Sequence, residues 1–194
     1  LDEVQFLSAA QLESLISALH KSVQRALPVT LVGAGLPQVA QLAGEAKSYA
    51  ERLFTFPVIG NLTDEQAHSV LQQPAQAEGA HWDPGALGLA TDLTGNYPFF
   101  LQELGYAVWP AAAGPRITEA DVHDTTGLYR ERLDTSFFRV RLDRTTDLEK
   151  AYLRAMAELG PDPASAADVA RLLGRSSQQA GQTRATLIDK GLLY

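Results

Sequence analysis

Cysteine is absent from this sequence of 194 residues, and methionine occurs once, at Met156. The absence of thiols excludes disulfides, thiolate metal sites and cysteine nucleophiles. No apolar run approaches the roughly 20 residues that a membrane span requires, and no basic-then-apolar signal sequence opens the chain. We therefore expect a cytoplasmic protein that has no membrane partner.

Positive charge is also scarce, because 16 basic side chains stand against 23 acidic ones and the net charge is −7. Residues 1–134 carry 7 basic and 16 acidic side chains, whereas residues 135–194 carry 9 and 7. An acidic chain offers no general electrostatic attraction to nucleic acid. A contact with nucleic acid is therefore expected only in the last segment.

Two phosphate-binding signatures are missing as well. No G-x-x-x-x-G-K-[ST] sequence occurs, so these residues contain no phosphate-cradling loop of their own. Gly33-Ala34-Gly35 begins like a dinucleotide-binding fingerprint, but Gln38 stands where the third glycine is needed, and we interpret the three residues as a tight turn. The chain begins at Leu1 without an initiator methionine, and we expect it to be part of a longer protein.

Residues 1–60 have the pattern of an α/β unit. A helix is predicted over residues 8–25, where apolar residues recur on one face and Ser8 can cap the start. Residues 29–32 are apolar and rich in β-branched side chains, which predicts a strand buried on both faces and hence a parallel sheet. A second helix is predicted after Leu36-Pro37, and a weaker pattern predicts a strand over residues 53–56. We interpret this segment as the C-terminal part of an α/β core.

Residues 61–134 are predicted to be a small helical subdomain. Thr63 and Gln66 have the spacing of a capping box for a helix that ends near Gln73, before Pro74. Three more helices are predicted over residues 84–93, 97–109 and 118–132.

Residues 135–194 contain three further helical segments. Thr146 begins a capping box for the first, which Gly160-Pro161 stops, and Ser165 begins the second. The third starts at Ser176 or the next residue, after a tight turn. This order predicts the helix-turn-helix of a winged-helix domain whose wing is truncated. The fold class is therefore expected to be mainly α, with an α/β remnant before the helical subdomain.

Three side chains of the first segment are candidates for phosphate chemistry. In a phosphate-hydrolysing site, Asp2 could hold Mg²⁺ through its water shell while Glu3 polarises the attacking water. Arg52 could place a planar guanidinium against a phosphate bound by a neighbouring subunit. The alternatives are that Asp2 and Glu3 are solvated carboxylates at a helix entry and that Arg52 forms a surface salt bridge.

Two further groups of residues are candidate binding sites. Asn96, Tyr97 and Pro98 begin an aromatic helix whose start could pack against a planar base, although the same rings could equally belong to a core. Four outward residues of the last helix have side chains able to contact base edges or phosphates, namely Gln178, Gln179, Gln182 and Arg184. A protein-docking site is the alternative for that surface.

Taken in order, these segments resemble the C-terminal two-thirds of a bacterial AAA+ ATPase related to the origin-recognition-like and STAND-type P-loop NTPases. The resemblance covers essentially the whole chain and rests on the order of the motifs. Asp2-Glu3 resembles the end of the Walker B strand, and residues 29–35 resemble the strand that carries sensor 1. Residues 49–54 resemble the arginine-finger segment, and Gly95-Asn96-Tyr97-Pro98 resembles the glycine-x-x-proline start of the lid helix near adenine.

The resemblance implies a domain organisation and a function, which we state as expectations. Residues 1–60 would be the C-terminal part of a P-loop ATPase core, residues 61–134 the helical lid, and residues 135–194 the winged helix. The parent protein would bind ATP and Mg²⁺, hydrolyse ATP and couple the nucleotide state to movement of the winged helix, whereas this fragment alone would be inactive. The alternatives are a DNA-binding winged-helix regulator and a protein-docking module, and a homo-oligomer is one alternative for the assembly.

Overall fold

Helices dominate the computed structural model of the protein, which describes residues 1–160 and 163–193. Over these ranges the only strands are one pair of two residues each, so the predicted mainly α fold is confirmed. The same ranges contain no helix that is long and apolar enough to cross a membrane. The described residues form two units, one of residues 1–58 with those from 151 onward, and one of residues 59–150.

A short 3-10 turn and three helices make up residues 1–58. The turn is Val4–Phe6, and the helices are α1 (Ala9–Gln24), α2 (Val39–Ala46) and α3 (Ala50–Leu53). The predicted cap of α1 is confirmed, because the Ser8 hydroxyl accepts a hydrogen bond from the Gln11 amide and the Gln11 side chain accepts one from the Ser8 amide. The turn and the helices share a small core, which consists of Val4, Leu12, Ile16, Ala43 and Ala50.

Both strands predicted in this segment are wrong. Residues 29–32 form irregular chain, and Val29 and Val32 are 53% and 77% exposed rather than buried. Residues 53–56 contain the last residue of α3 and continue as irregular chain. A parallel strand is buried only between neighbouring strands and covering helices. Among the described residues, the backbone of residues 29–32 bonds only to Leu1 and, locally, to Leu27, which is too little to form a sheet.

The second unit, residues 59–150, is built around four helices that match the predicted ones. They are α4 (Asp64–Ala77), α5 (Pro84–Thr94), α6 (Pro98–Val108) and α7 (Glu119–Leu133). The predicted capping box of α4 is confirmed. The Thr63 hydroxyl accepts a hydrogen bond from the Gln66 backbone N–H at 3.3 Å, and the Gln66 side-chain oxygen accepts one from the Thr63 backbone N–H at 3.0 Å. Pro74 does not end α4, which continues to Ala77. Proline so near a helix end removes only one backbone donor, so the last turn still forms.

A parallel pair of strands that the sequence did not predict joins two distant points of this unit. In it, β1 (His81–Trp82) pairs with β2 (Arg116–Ile117), so that Trp82 lies opposite Ile117. Both of these residues are buried in the main core of the unit, which also contains Leu71, Leu101, Leu104, Val108, Val122 and Tyr129. Two residues are too few to show the alternation by which a strand is recognised.

The last helix of this core continues without a break past residue 133. A π-helical segment, Asp134–Phe138, follows α7 and leads into α8 (Arg139–Leu142). The wider turn directs both Phe137 and Phe138 toward Phe100, whose ring centroid lies 5.2 and 5.8 Å from theirs. Such π segments are rare and are found often at functional sites.

Three helices end the described chain, as predicted. They are α9 (Asp147–Leu159), α10 (Ala166–Leu172) and α11 (Ser177–Asp189), and Ser165 and Ser176 cap the last two. Pro161, which was predicted to stop the first of them, lies outside the described residues. Gly174 turns the chain between α10 and α11 with φ of +61°, a conformation that suits glycine. The three helices share a core that consists of Tyr152, Ala155, Val169, Ala170, Ala180 and Leu187.

Replacement of Thr63 by alanine tests the capping box of α4. Thr63→Ala should lower the free energy of unfolding by about 1 kcal/mol, because the first turn of α4 loses its side-chain acceptor. Thr63→Ser is the matched control and should keep most of the stability, since serine retains the hydroxyl. Urea denaturation followed by circular dichroism measures both. Equal stability of the two variants would contradict a capping role.

Candidate functional site

A short parallel pairing of two backbone segments lies where Asp2 and Glu3 were predicted to act. The Leu1 nitrogen donates to the Val32 carbonyl at 2.9 Å, and the Ala34 amide donates to the Leu1 carbonyl at 2.8 Å. These two bonds have the pattern of a parallel bridge between Leu1 and Gly33. The Val4 amide then donates to the Ala34 carbonyl at 3.0 Å. The pairing thus brings Asp2 and Glu3 beside the turn Gly33-Ala34-Gly35, which we call the glycine turn.

The side chain of Gln5 joins Glu3 to this glycine turn. Its amide nitrogen donates to the Glu3 carboxylate, and its carbonyl oxygen accepts from the Leu36 amide at 3.2 Å. Glu3 itself has φ of +53°, in the left-handed region that non-glycine residues rarely adopt. Sequence reasoning did not identify Gln5, because a lone glutamine two positions after an acidic pair belongs to no motif.

Close packing at Gly35 holds the glycine turn against the chain that follows Glu3. A Cβ added at Gly35 would lie 2.5 Å from Gln5 Oε1 and 2.7 Å from Val39 Cγ2. Only glycine fits there without a shift of its neighbours. The sequence prediction of a tight turn at these residues therefore has a steric basis at Gly35.

Both predicted carboxylates are exposed. Asp2 Oδ1 accepts from the Glu3 amide at 2.9 Å. Among residues 1–160 and 163–193 no group of three acidic or histidine side chains is arranged to hold a metal ion. Mg²⁺ keeps several waters and is often held by one or two carboxylates together with substrate phosphates. Asp2 and Glu3 therefore form no complete metal site within the described residues, and a water-mediated Mg²⁺ contact stays a prediction.

Arg52 lies near the end of α3 with an exposed side chain. Ala50, on the same helix, is buried in the core that contains Val4. Arg52 forms no ion pair with Asp2 or Glu3. The guanidinium is therefore not part of the glycine-turn site in a single chain, which fits the predicted contact with a neighbouring subunit and also fits a solvated arginine.

Asn96 anchors the start of α6 in the second unit. Its side-chain nitrogen donates to Asp64 Oδ1 at 2.6 Å, and its carbonyl accepts from the Leu62 amide at 3.1 Å. The residue has φ of +60°. Its side-chain oxygen is buried and has no hydrogen-bond partner among the described residues. An unpaired buried acceptor is costly, so this atom is a point at which a donor would be favourable.

Tyr97 and Pro98 lead into a cluster of aromatic rings. Tyr97 precedes the first helical residue, Pro98, and its ring lies 4.8 Å from that of Phe100. Phe99 stacks on Phe137 at 5.1 Å with an angle of 25° between the planes. Tyr97 and Phe99 are 38% and 36% exposed, so the cluster presents ring surface to solvent while Phe100 packs on the core. The core interpretation therefore holds for Phe100, whereas base binding by Asn96, Tyr97 and Pro98 stays a prediction.

The second half of this cluster could not be assigned from the sequence. Phe137 and Phe138 come from the π-helical segment, and the guanidinium carbon of Arg141 lies 3.6 Å from the centroid of the Phe137 ring. A pair of adjacent phenylalanines was visible in the sequence, but a regular helix would direct them about 100° apart. Both rings nevertheless lie within 6 Å of the Phe100 ring, at 5.2 and 5.8 Å between centroids.

The four predicted nucleic-acid contacts all lie on α11 with exposed side chains. Gln179 has a local role, because its side-chain oxygen accepts from the Ser176 amide in the cap of α11. Gln178, Gln182 and Arg184 remain on the exposed face. Burial raises the pKa of the Tyr152 phenol, and the positive charge of Arg184 opposes that rise, which indicates that Arg184 lies near the phenol.

Comparison with known proteins gives one match. A family model described as a domain of unknown function (DUF8462) matches residues 135–194, about a third of the chain. No curated protein and no solved structure matches the sequence or the fold. The description of the matched domain assigns no activity.

Replacement of Gly35 by alanine tests the packing at the glycine turn. Gly35→Ala should lower the free energy of unfolding by about 1–3 kcal/mol, because the added methyl group overlaps Val39 and Gln5. Gly60→Ala is the matched control, since a Cβ at Gly60 meets nothing within 4 Å. Thermal unfolding compares the two variants. A stable Gly35→Ala protein would contradict the close contact.

Proposed function

We propose that this chain is part of an AAA+-type ATPase in which Asp2 and Glu3 act on a bound nucleoside triphosphate. The observation that carries the proposal is the parallel backbone pairing of Leu1 with Val32 and Ala34. In open α/β sheets, ligands bind beyond the carboxyl ends of neighbouring parallel strands. Asp2 and Glu3 follow one paired segment directly, and the glycine turn ends the other, so in a full-length sheet that contains both segments these residues would lie at the corresponding edge.

The two carboxylates would have different roles in hydrolysis. Asp2 would hold Mg²⁺ through its water shell, and the metal would neutralise charge on the phosphates. Glu3 would orient the attacking water and accept its proton as the water oxygen bonds to the γ-phosphorus and the bond to the β-phosphate oxygen breaks. The hydrogen bond from Gln5 would position the Glu3 carboxylate. The phosphate-cradling loop would come from sequence outside these 194 residues, because they contain no such motif.

The start of α6 is the candidate base-binding surface within the second unit. Partly exposed rings at Tyr97 and Phe99 offer surface for stacking. Asn96 would position these rings, because its hydrogen bonds to Asp64 and to the Leu62 amide anchor the residue before Tyr97. In this proposal residues 61–134 are the lid, and lid closure on the nucleotide moves a winged helix formed by α9, α10 and α11.

The proposal is tested by Glu3→Gln in the full-length polypeptide. The variant should lose ATP turnover by a factor of about 100 or more while it binds ATP as the wild type does, because glutamine keeps the shape but accepts no proton. Glu158→Gln, which changes an exposed carboxylate on α9, is the matched control and should leave turnover unchanged. Phosphate release and equilibrium binding of a fluorescent ATP analogue measure the two properties.

Two results would contradict the proposal. One is wild-type turnover in Glu3→Gln. The other is tight, Mg²⁺-dependent ATP binding by the 194-residue chain alone, because the proposal assigns the main phosphate contacts to residues outside it.

Duplex DNA binding through α11 is a second candidate, favoured by the exposed polar face that carries Gln178, Gln182 and Arg184. If it is correct, Arg184→Ala should weaken duplex binding at low salt about threefold to tenfold. The slope of log affinity against log salt concentration should fall by about one, because one phosphate contact is lost. Arg25→Ala removes the same charge from an exposed position after α1 and is the control. Fluorescence anisotropy with labelled duplex measures both. Equal binding by the two variants would contradict a role for α11.

A further inference from the structure

A cavity of about 740 Å³ lies between α4 and α6, inside the second unit and separate from the residues proposed to contact nucleotide. Its buried walls include Leu71, Ala75, Trp82 and Leu101. Cavities of roughly 300–1,000 Å³ with mainly apolar walls and a few polar groups are typical of small-molecule sites. A volume of this size is too small for a folded partner and suits one small organic molecule.

The depth of the cavity depends on small residues in the two facing helices. Ala75 on α4 and Gly105 on α6 both line it. A Cβ at Gly105 would lie 3.4 Å from Leu71 Cδ2, which is an ordinary contact, so a larger side chain could be built there only by projecting into the cavity. Glycine in a helix interior costs stability relative to alanine. At Gly105 this loss of stability is accompanied by the open space of the cavity.

The mouth of the cavity is lined by aromatic residues that are exposed to solvent. Tyr106 is 71% exposed and Trp109 is 46% exposed. The face of an aromatic ring attracts organic cations, and tryptophan does so most strongly. With the buried Trp82, three aromatic side chains line the cavity.

Two charged side chains, Glu78 and Arg132, line the cavity. Arg132 is the one basic residue that lines the cavity, and its Nε donates to Glu103 Oε2 at 3.2 Å. The same guanidinium lies 5.2 Å from the centroid of the Tyr106 ring. Glu78 also lines the cavity, and its carboxylate has no ionic partner among the described residues. Glu78 is exposed, so its carboxylate is solvated and is accessible to an ammonium group.

We propose that the cavity between α4 and α6 binds an apolar organic cation, namely an ammonium group on an aromatic or aliphatic skeleton. The apolar skeleton packs against Leu71, Ala75 and Trp82. The ammonium group lies at the mouth, where the ring of Trp109 and the carboxylate of Glu78 attract it. This site is independent of the proposed ATPase activity.

Three probes of one skeleton separate the effect of charge from that of shape. They are 4-phenylbutylammonium, the neutral 4-phenylbutanol and the anionic 4-phenylbutyrate. The chain has two tryptophans, Trp82 and Trp109, and both line this cavity, so intrinsic tryptophan fluorescence reports on it directly. The ammonium probe should bind about fivefold to tenfold more tightly than the alcohol, and the carboxylate probe more weakly than either.

Two variants, each with a matched control, link the binding to the cavity. Gly105→Leu fills the cavity and should weaken the ammonium probe more than about tenfold, whereas Gly127→Leu makes the same change in α7, where a Cβ meets nothing within 4 Å, and should not. Glu78→Gln should reduce the preference for ammonium over alcohol about threefold, whereas Glu65→Gln in the first turn of α4, away from the cavity lining, should not.

Three results would overturn the proposal. They are equal affinity for the ammonium and alcohol probes, unchanged binding in Gly105→Leu, and the absence of any fluorescence change with all three probes. The thermal transition of Gly105→Leu shows whether a loss of binding is due to unfolding. Leucine has a higher helix propensity than glycine, which favours a folded variant.

Discussion

The backbone hydrogen bonds between Leu1 and the glycine turn are the interaction on which the proposed chemistry depends. They are few, but they fix the direction and the register of two segments that are more than 30 residues apart. Val4, which follows them, is buried in the core that contains Leu12 and Ile16, and the pairing is thereby attached to α1. Gly35 allows the close approach, and Gln5 bridges Glu3 to the amide of Leu36. Without this pairing, Asp2 and Glu3 would not lie beside the glycine turn.

Local signals in the sequence predicted the helices well. The capping residues Ser8, Thr63, Ser165 and Ser176 all perform the predicted role, because a cap is decided by side-chain and backbone groups only three positions apart. The strands could not be predicted in this way. Residues 29–32 have strand composition, but a strand needs partners that the sequence pattern does not reveal. The pair β1 and β2 was missed for the opposite reason, since it is too short to have a pattern.

The candidate site was only partly visible in the sequence. Asp2, Glu3 and the tight turn at Gly35 were found separately, but their juxtaposition depends on long-range pairing. The start of α6 was recognised by its proline and its aromatic residues. Its second half, Phe137 and Phe138, is contributed by a π-helical segment that no helical periodicity predicts. The cavity between α4 and α6 was not visible at all, because it is defined by the facing of Ala75 and Gly105 across two helices.

The central claim is that the residues at the start of α6 contact the base of a bound nucleotide. Photoaffinity labelling of the full-length protein with 2-azido-ATP in the presence of Mg²⁺ tests it most directly. The azide reacts next to the adenine ring, so the labelled peptide identifies the side chains that hold the base. We expect the label on the peptide that contains Asn96, Tyr97 and Phe99, and we expect excess ATP to prevent it. Labelling that excess ATP does not prevent, or that falls outside this segment, would contradict the claim.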